Sequence, residues 1–117
     1  MIQKIYAIWI YVNNIQESID FYEGILEMKF KLREEDWIEF DLDGTSFAIL
    51  QRQPKQGPLK PQKMRTMFQV NDIEKMKAKF LDNNVKLIGD IREEKYGKVL
   101  TFEDPNGHWL ELFEPIE

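Results

Sequence analysis

At 117 residues, 43% of them hydrophobic and 32% charged, the chain is long enough for one globular domain with a hydrophobic core. Its net charge of −5 argues against a nucleic-acid partner, because a phosphate-binding surface needs clustered Lys and Arg. Cysteine is absent, which excludes disulfides and a thiolate site, and with no membrane-spanning run or signal-peptide pattern we expect a cytoplasmic protein without a membrane partner.

The chain begins with a predicted strand and helix. Residues 4–12 alternate as a half-buried strand does. Either Asn13 or Asn14 can cap the helix that follows, and its first turn contains Glu17, a carboxylate that the helix dipole favours. The apolar residues of this segment follow helical spacing, although Gly24 is unusual within a helix.

Three further strands are predicted before the middle of the chain. The last two are joined by Asp43-Gly44, a strong hairpin signal. Residues 53–62 contain three prolines and a glycine and are predicted to be a linker. The first half is therefore a predicted βαβββ unit, residues 1–52, with its later strands near 28–34, 36–42 and 45–51.

The pattern restarts after the linker. Val70-Asn71-Asp72-Ile73 repeats Val12-Asn13-Asn14-Ile15, and a helix is predicted from about 73 to 83. It ends at Asn83-Asn84, where either residue tolerates the left-handed conformation. Residues 63–117 are thus a predicted second βαβββ unit of the same single domain, with strands near 85–92, 97–103 and 108–114. The predicted fold class is α+β.

The last hairpin carries a potential metal ligand, Glu111. Pro105 suits the second position of a turn, and Gly107 can take a positive φ where the return strand begins. The lone histidine, His108, lies three residues before Glu111, so in a regular strand the two side chains point to opposite faces.

Two segments resemble the vicinal oxygen chelate superfamily, also called the glyoxalase/bleomycin resistance/dioxygenase superfamily. They are residues 21–28 (Phe-Tyr-Glu-Gly-Ile-Leu-Glu-Met) and residues 102–112 (Phe-Glu-Asp-Pro-Asn-Gly-His-Trp-Leu-Glu-Leu). The resemblance extends over essentially the whole chain through the paired βαβββ units. It implies a curved mixed sheet around a cleft, but it does not identify a reaction, because one scaffold hosts many functions.

The resemblance also implies where a metal ion would lie, since catalytic members take ligands from the first and last strands of each unit. In unit one these positions fall on Ala7 and on Ala48 or Ile49. In unit two they fall on Arg65 and Glu111. Only Glu111 could bind a metal, and one carboxylate does not hold a divalent ion at useful affinity. We therefore expect a member without a metal or other cofactor, which argues against glyoxalase, extradiol dioxygenase and thiol-transferase chemistry.

Alternation along the strands predicts which side chains face the cleft. Single aromatic residues are more often core or dimer contacts than ligand contacts, and alternating acids such as Glu39 and Asp41 are usually solvated. As a group, however, aromatic and charged side chains are the mixture expected of a small-molecule pocket. The predicted ligand-binding residues are Trp9, Tyr11, Trp37, Glu39, Arg65, Met67 and Glu111.

Arg65 is the most unexpected of these residues, because a guanidinium in a sheet seeks a carboxylate. One interpretation pairs Arg65 with Glu111 in the volume of the missing metal. A second places Arg65 in solvent at the end of the linker. In a third, Arg65 binds an anionic ligand that Glu111 orients.

Three functions fit the sequence. The first is sequestration of a small, partly aromatic or apolar molecule by a homodimer, as the drug-binding members of the superfamily do. The second is an enzyme, either a metal-dependent lyase or dioxygenase with a noncanonical site or a metal-free one. The third is a subunit whose apolar surface binds a protein partner. Binding of a small molecule is the preferred interpretation, because it requires no catalytic group.

Overall fold

The computed structural model describes residue 1 and residues 3–60 and 64–116. The chain forms two compact units, Met1–Lys60 (unit 1) and Pro61–Glu117 (unit 2). Residues 61 and 62 of the predicted linker, and residue 63 at the predicted start of the second unit, lie outside the described residues. In the rest of the linker a short 3-10 turn covers Pro54–Gln56.

Each unit contains a four-stranded mixed sheet and a helix, an α+β architecture with the predicted βαβββ order. The first and last strands of a unit are parallel neighbours, and the other pairs are antiparallel. In unit 1 the sheet order is β1-β4-β3-β2, from β1 (Ala7–Val12), α1 (Ile15–Ile19), β2 (Lys29–Arg33), β3 (Trp37–Leu42) and β4 (Thr45–Gln51). In unit 2 it is β5-β8-β7-β6, from β5 (Met67–Gln69), α2 (Ile73–Asp82), β6 (Lys86–Glu94), β7 (Gly97–Glu103) and β8 (Trp109–Pro115).

The first strand is shorter than the predicted 4–12, because its length is set by its partner. Pairing starts where Ala7 lies opposite Ser46, at the beginning of β4. Before Ala7, one further backbone bond runs from Ser46 N–H to the carbonyl of Tyr6. The first strand of unit 2 is shorter still, so Arg65 precedes it instead of lying within it.

The two helices begin in the same way. The side chain of Asn14 accepts from the N–H of Glu17, and that of Asp72 accepts from the N–H of Lys75. Each bond satisfies one of the free N–H groups of a first helical turn. Of the two caps that the sequence allowed for the first helix, the structure therefore selects Asn14.

The helical segment of unit 1, α1 together with a π-helical turn, covers residues 15–25 and is one residue longer than α2. In unit 1 the helix continues through a π-helical segment, Asp20–Ile25, which contains the unusual Gly24. Each helix is then followed by a residue with positive φ, Glu27 (57°) in unit 1 and Asn84 (56°) in unit 2. A π-helical turn contains more residues than an α-helical turn, so it accommodates the one extra residue and the two helices end in equivalent ways.

Each sheet buries one face under its helix. Apolar side chains that alternate along the strands meet aromatic residues of the helix, Tyr22 in unit 1 and Phe80 in unit 2. Among the described residues, no helix is both long and apolar enough to cross a membrane. The largest fully buried side chains are Tyr22, Phe40, Phe47, Phe80, Phe102, Ile10, Ile49, Ile73, Leu100, Leu112, Val12 and Thr101.

Candidate functional site

In unit 1, three of the predicted ligand-binding residues form an aromatic cluster on the sheet face opposite the core. Trp9 contacts Tyr11 edge-on at 5.1 Å between ring centroids and Trp37 at 6.2 Å. Trp9 keeps 40% of its surface exposed, whereas its neighbour Ile10 is buried in the core. The alternation of β1 therefore directs a tryptophan outward, and its aromatic neighbours fix its orientation.

Glu39 lies beside this cluster and is buried, not solvated as its place in an alternating strand had suggested. Only 6% of its surface is exposed. Trp37 lies two residues before Glu39 on the same face of β3, and its indole N–H donates to Glu39 Oε2 at 2.9 Å. The prediction was wrong for Glu39 because this tryptophan shields the carboxylate. Asp41, further along the strand, is exposed as expected.

The carboxyl group of Glu39 is held in its charged form. Its pKa lies below the ordinary value of 4.5, chiefly because the Trp37 N–H bonds to the carboxylate. Burial opposes this effect, while the Ser46 hydroxyl and the positive charge of Lys31 reinforce it. Unit 1 therefore combines an exposed aromatic surface with a buried negative charge.

In unit 2, Glu111 is the centre of a cluster with two arginines. Glu111 Oε2 accepts from Arg65 Nη1 at 3.3 Å, Arg92 Nη2 at 3.4 Å and Thr101 Oγ1 at 3.2 Å. The Glu111 side chain is 13% exposed, whereas those of Arg65 and Arg92 are 44% and 43% exposed. The Arg65–Glu111 pair, the first of the three interpretations of Arg65, is present, and Glu111 also contacts a second guanidinium.

Arg65 also lies over the ring of Trp109, 5.1 Å from the ring centroid to the guanidinium carbon. A guanidinium that stacks on an indole and bonds to a carboxylate is restrained on two sides. Arg65 nevertheless remains half-exposed, but it pairs with Glu111 and does not merely reach solvent. Met67, the remaining predicted residue, lies opposite Glu111 in the parallel pair and is exposed.

Arg92 and Thr101 were missed as members of this cluster. Arg92 lies beyond a shift in the β6–β7 register that falls between Ile88 and Arg92, so simple alternation does not place it. Gly89, with φ of 78°, lies within the shift. A glycine inside a predicted strand is a known sign of a bulge, and it was the only sequence signal that could have indicated this displacement.

Strand register settles which residues occupy the positions that the family resemblance assigns to metal ligands. Trp9 lies opposite Ala48, as Met67 lies opposite Glu111, so Ala48 and not Ile49 is the counterpart of Glu111. Two methyl groups, a guanidinium and one carboxylate do not fit a divalent cation. Among the described residues, no three His, Asp or Glu side chains are grouped so that they could hold a metal ion.

His108 is a structural part of the last hairpin. It precedes β8 and is 2% exposed. Its backbone N–H and that of Asn106 both donate to Oδ1 of Asp104, at 2.9 Å each, and Gly107 takes a φ of 88° as predicted for this turn. The Asp104 carboxylate thus holds the backbone of this turn in place.

The predicted site residues therefore form two clusters, one in each unit. We call Trp9, Tyr11, Trp37 and Glu39 the aromatic–acid cluster, and Arg65, Arg92, Thr101 and Glu111 the arginine cluster. Whether these residues bind a ligand stays a prediction.

Comparisons with known proteins assign the chain to a family. It is 30% identical over 118 residues to the metallothiol transferase FosB of Staphylococcus saprophyticus, covering 96% of this chain and 77% of that protein. The oxidase ChaP-H2 has a similar fold, with a TM-score of 0.81, 21% identity and coverage of 99% and 96% of the two chains. TnmS3, an antibiotic-binding protein from Streptomyces sp. CB03234, has a TM-score of 0.77 and 17% identity, with coverage of 98% of each chain.

A sequence profile of one superfamily matches residues 4–112, nearly the whole chain. The two βαβββ units and the structural neighbours agree with that match. The chain belongs to the glyoxalase/bleomycin resistance protein/dioxygenase superfamily.

Proposed function

We propose that this protein binds a small, partly aromatic or apolar molecule at the aromatic–acid cluster, without a metal ion, and that it acts by sequestration. The observation that carries the proposal is the partly exposed Trp9 ring, held in place by Tyr11 and Trp37. A rigid aromatic surface next to a few polar groups is the usual composition of a small-molecule site.

The relatives support a binding role without identifying the ligand. TnmS3 is an antibiotic-binding protein, so the fold accommodates binding of a small molecule. FosB is a metallothiol transferase, and its identity to this chain favours the alternative of metal-dependent chemistry. The side chains of Ala7, Ala48 and Arg65 argue against that alternative, because none of them donates an electron pair to a cation at neutral pH.

A fluorescence titration tests binding at the cluster. The chain has three tryptophans, so a Trp109→Phe variant reports on Trp9 and Trp37 alone. We expect at least one of three planar probes, 2-naphthamidine, 2-naphthamide or 2-naphthoate, to quench this signal saturably. Trp9→Ala should weaken that binding about tenfold or more, whereas Trp109→Phe should leave it unchanged in calorimetry. No binding of any probe at millimolar concentration, or equal binding by the Trp9→Ala variant, would contradict the proposal.

Metal content tests the absence of a cofactor separately. The protein would be purified without chelator, offered Zn²⁺, Ni²⁺, Fe²⁺ and Mn²⁺ in turn, and analysed for each element. We expect less than stoichiometric metal in every case. A stoichiometric metal that disappears in a Glu111→Ala variant would overturn the metal-free proposal and favour an enzyme.

We further propose that the protein is a homodimer, as the family resemblance implies. Exposed apolar side chains support this proposal, among them Ile5 and Tyr6 before β1 and Met64 before β5. Sedimentation velocity at micromolar concentration should give the mass of two chains. A single species of one chain's mass, 14.1 kDa, would contradict it.

A further inference from the structure

One oxygen of the buried carboxylate in unit 1 is unpaired. Oε2 of Glu39 accepts the Trp37 N–H, but Oε1 is buried and no group among the described residues donates to it. Burying a charged oxygen without a hydrogen bond is costly, so native proteins rarely retain one without a reason. Because the pKa of Glu39 is lowered, protonation does not relieve that cost at neutral pH.

Lys31, whose charge acts on Glu39, has its own contacts. Lys31 Nζ donates to the hydroxyl of Ser46 at 3.2 Å and lies 5.1 Å from the centroid of the Tyr6 ring. Its charge helps to keep Glu39 ionised, but it makes no hydrogen bond to Oε1. The Ser46 hydroxyl also lowers the pKa of Glu39, but it makes no hydrogen bond to Oε1 either. Oε1 therefore has no donor among the described residues, and a donor from outside the chain reaches it when the side chains that cover it move aside.

Strand register places this oxygen near the exposed tryptophan. Trp9 and Glu39 lie opposite Ala48 on its two sides, so the three residues form one row across the sheet. Two strand spacings separate the backbones of Trp9 and Glu39 by roughly 10 Å. Both side chains lie on the same face of the sheet, so one small molecule can contact both of them.

We propose that the ligand of the aromatic–acid cluster carries a hydrogen-bond-donating cation, such as an amidinium or a primary ammonium, which binds Glu39 Oε1 while its planar part contacts Trp9. This inference rests on the proposed function and specifies the chemical class of the ligand. An ionised carboxylate only accepts hydrogen bonds, so the bound group must be a donor. A positive charge strengthens that bond and is also attracted to the faces of Trp9 and Trp37.

Three probes of nearly identical shape separate the possible outcomes. On one naphthalene skeleton, 2-naphthamidine is cationic, 2-naphthamide neutral and 2-naphthoate anionic. We expect the wild-type protein to bind the amidine about tenfold or more tighter than the amide, and the carboxylate most weakly. Equal binding of amidine and amide would overturn the inference and leave the proposed function intact. Preferred binding of the carboxylate would overturn it and point to the arginine cluster. No binding of any probe would overturn both.

Two variants assign the preference to Glu39. Glu39→Gln should remove the preference for the amidine and leave the affinity for the amide unchanged within about twofold. Lys31→Gln changes an exposed residue that is expected to tolerate substitution, and removing its charge should strengthen amidine binding about twofold. If both variants keep the wild-type ratio of amidine to amide affinity, Glu39 does not bind the cation and a buried water satisfies Oε1 instead. Circular dichroism confirms that each variant is folded before titration.

Discussion

Unit 1 and unit 2 repeat one backbone plan but carry different chemistry at equivalent positions. Where unit 1 has Trp9 opposite Ala48, unit 2 has Met67 opposite Glu111. On the next strand of each sheet, Glu39 lies opposite Ala48 in unit 1 and Thr101 lies opposite Glu111 in unit 2, so Glu39 corresponds to Thr101. Unit 1 thus buries its carboxylate on the third strand beside tryptophans, whereas unit 2 has its carboxylate on the last strand between arginines.

The difference shows that the fold fixes the positions of these side chains but not their chemistry. Each carboxylate requires a local means of staying charged. Glu39 has an indole N–H, and Glu111 has two guanidinium groups and a hydroxyl. Exchanging residues between the units should therefore be costly, because the partners do not move with them.

The largest expected effect on stability follows from placing an acid at Ala48, the unit 1 counterpart of Glu111. Ala48→Glu places a carboxylate where exposure is 0%, next to Glu39 and without a guanidinium. We expect a loss of about 3 kcal/mol or more in the free energy of unfolding at pH 8, because an unpaired buried charge is left. The control is Ala48→Gln, which has the same volume without the charge. Equal urea midpoints for the two variants would show that charge is not the reason.

Removing the acid from unit 2 should have a smaller effect. Glu111→Gln is expected to cost about 1 kcal/mol, because its donors lose a charged acceptor although the arginines stay half-exposed. Glu103→Gln removes the charge of a surface pair with Lys86 at 3.8 Å and keeps an amide oxygen that can accept from the Trp109 N–H, so it should cost about 0.5 kcal/mol or less. Urea unfolding measures both variants. A stability of Glu111→Gln at or above wild type would show that the arginine cluster is not stabilising.

Substitutions after the two helices should raise the stability of the protein by different amounts. Glu27 and Asn84 both adopt positive φ, a conformation that Asn tolerates better than Glu. Glu27→Gly should therefore raise the free energy of unfolding by about 0.5–1 kcal/mol, and Asn84→Gly by less than half of that. Thermal unfolding of both variants checks the order. A lower melting temperature for Glu27→Gly than for wild type would contradict the equivalence of the two helix ends.

The smallest effect concerns pH and distinguishes Glu39 from its counterpart Thr101. Because the folded pKa of Glu39 is below 4.5, its ionised form contributes stability above that ordinary value. The contribution is lost as pH falls through the depressed folded pKa. Between pH 5 and pH 3, Glu39→Gln should consequently lose less of its free energy of unfolding than the wild type does. The difference should be about as large as the error of a single measurement. Thr101→Val, the matched change in unit 2, should keep the wild-type slope.

The order of the strands and helices could be predicted from the sequence, because it depends on local patterns. Alternating apolar residues identified the strands, Asp43-Gly44 marked a hairpin, and both residues of that turn adopt positive φ. The repeat of Val12–Ile15 at Val70–Ile73 identified the second unit. Strand ends were less accurate, because a strand ends where its partner ends and the partner is distant in sequence.

The composition of the candidate site was only partly predictable. Trp9, Tyr11 and Trp37 follow from alternation, and the proximity of Arg65 to Glu111 follows from the family resemblance. Arg92 entered the same cluster through a register shift at Gly89, which alternation alone does not reveal. The burial of Glu39 depended on where one indole ring lies, and a strand pattern contains no such information.

By itself the sequence determined the duplicated βαβββ plan and the residues available at the metal-ligand positions, because both depend on residue type and spacing. Only the tertiary structure decided that Ala48 is the counterpart of Glu111 and that one carboxylate oxygen of Glu39 has no donor among the described residues. Register and hydrogen bonding are set by contacts between residues far apart in the chain, and those contacts exist only once the sheets have formed.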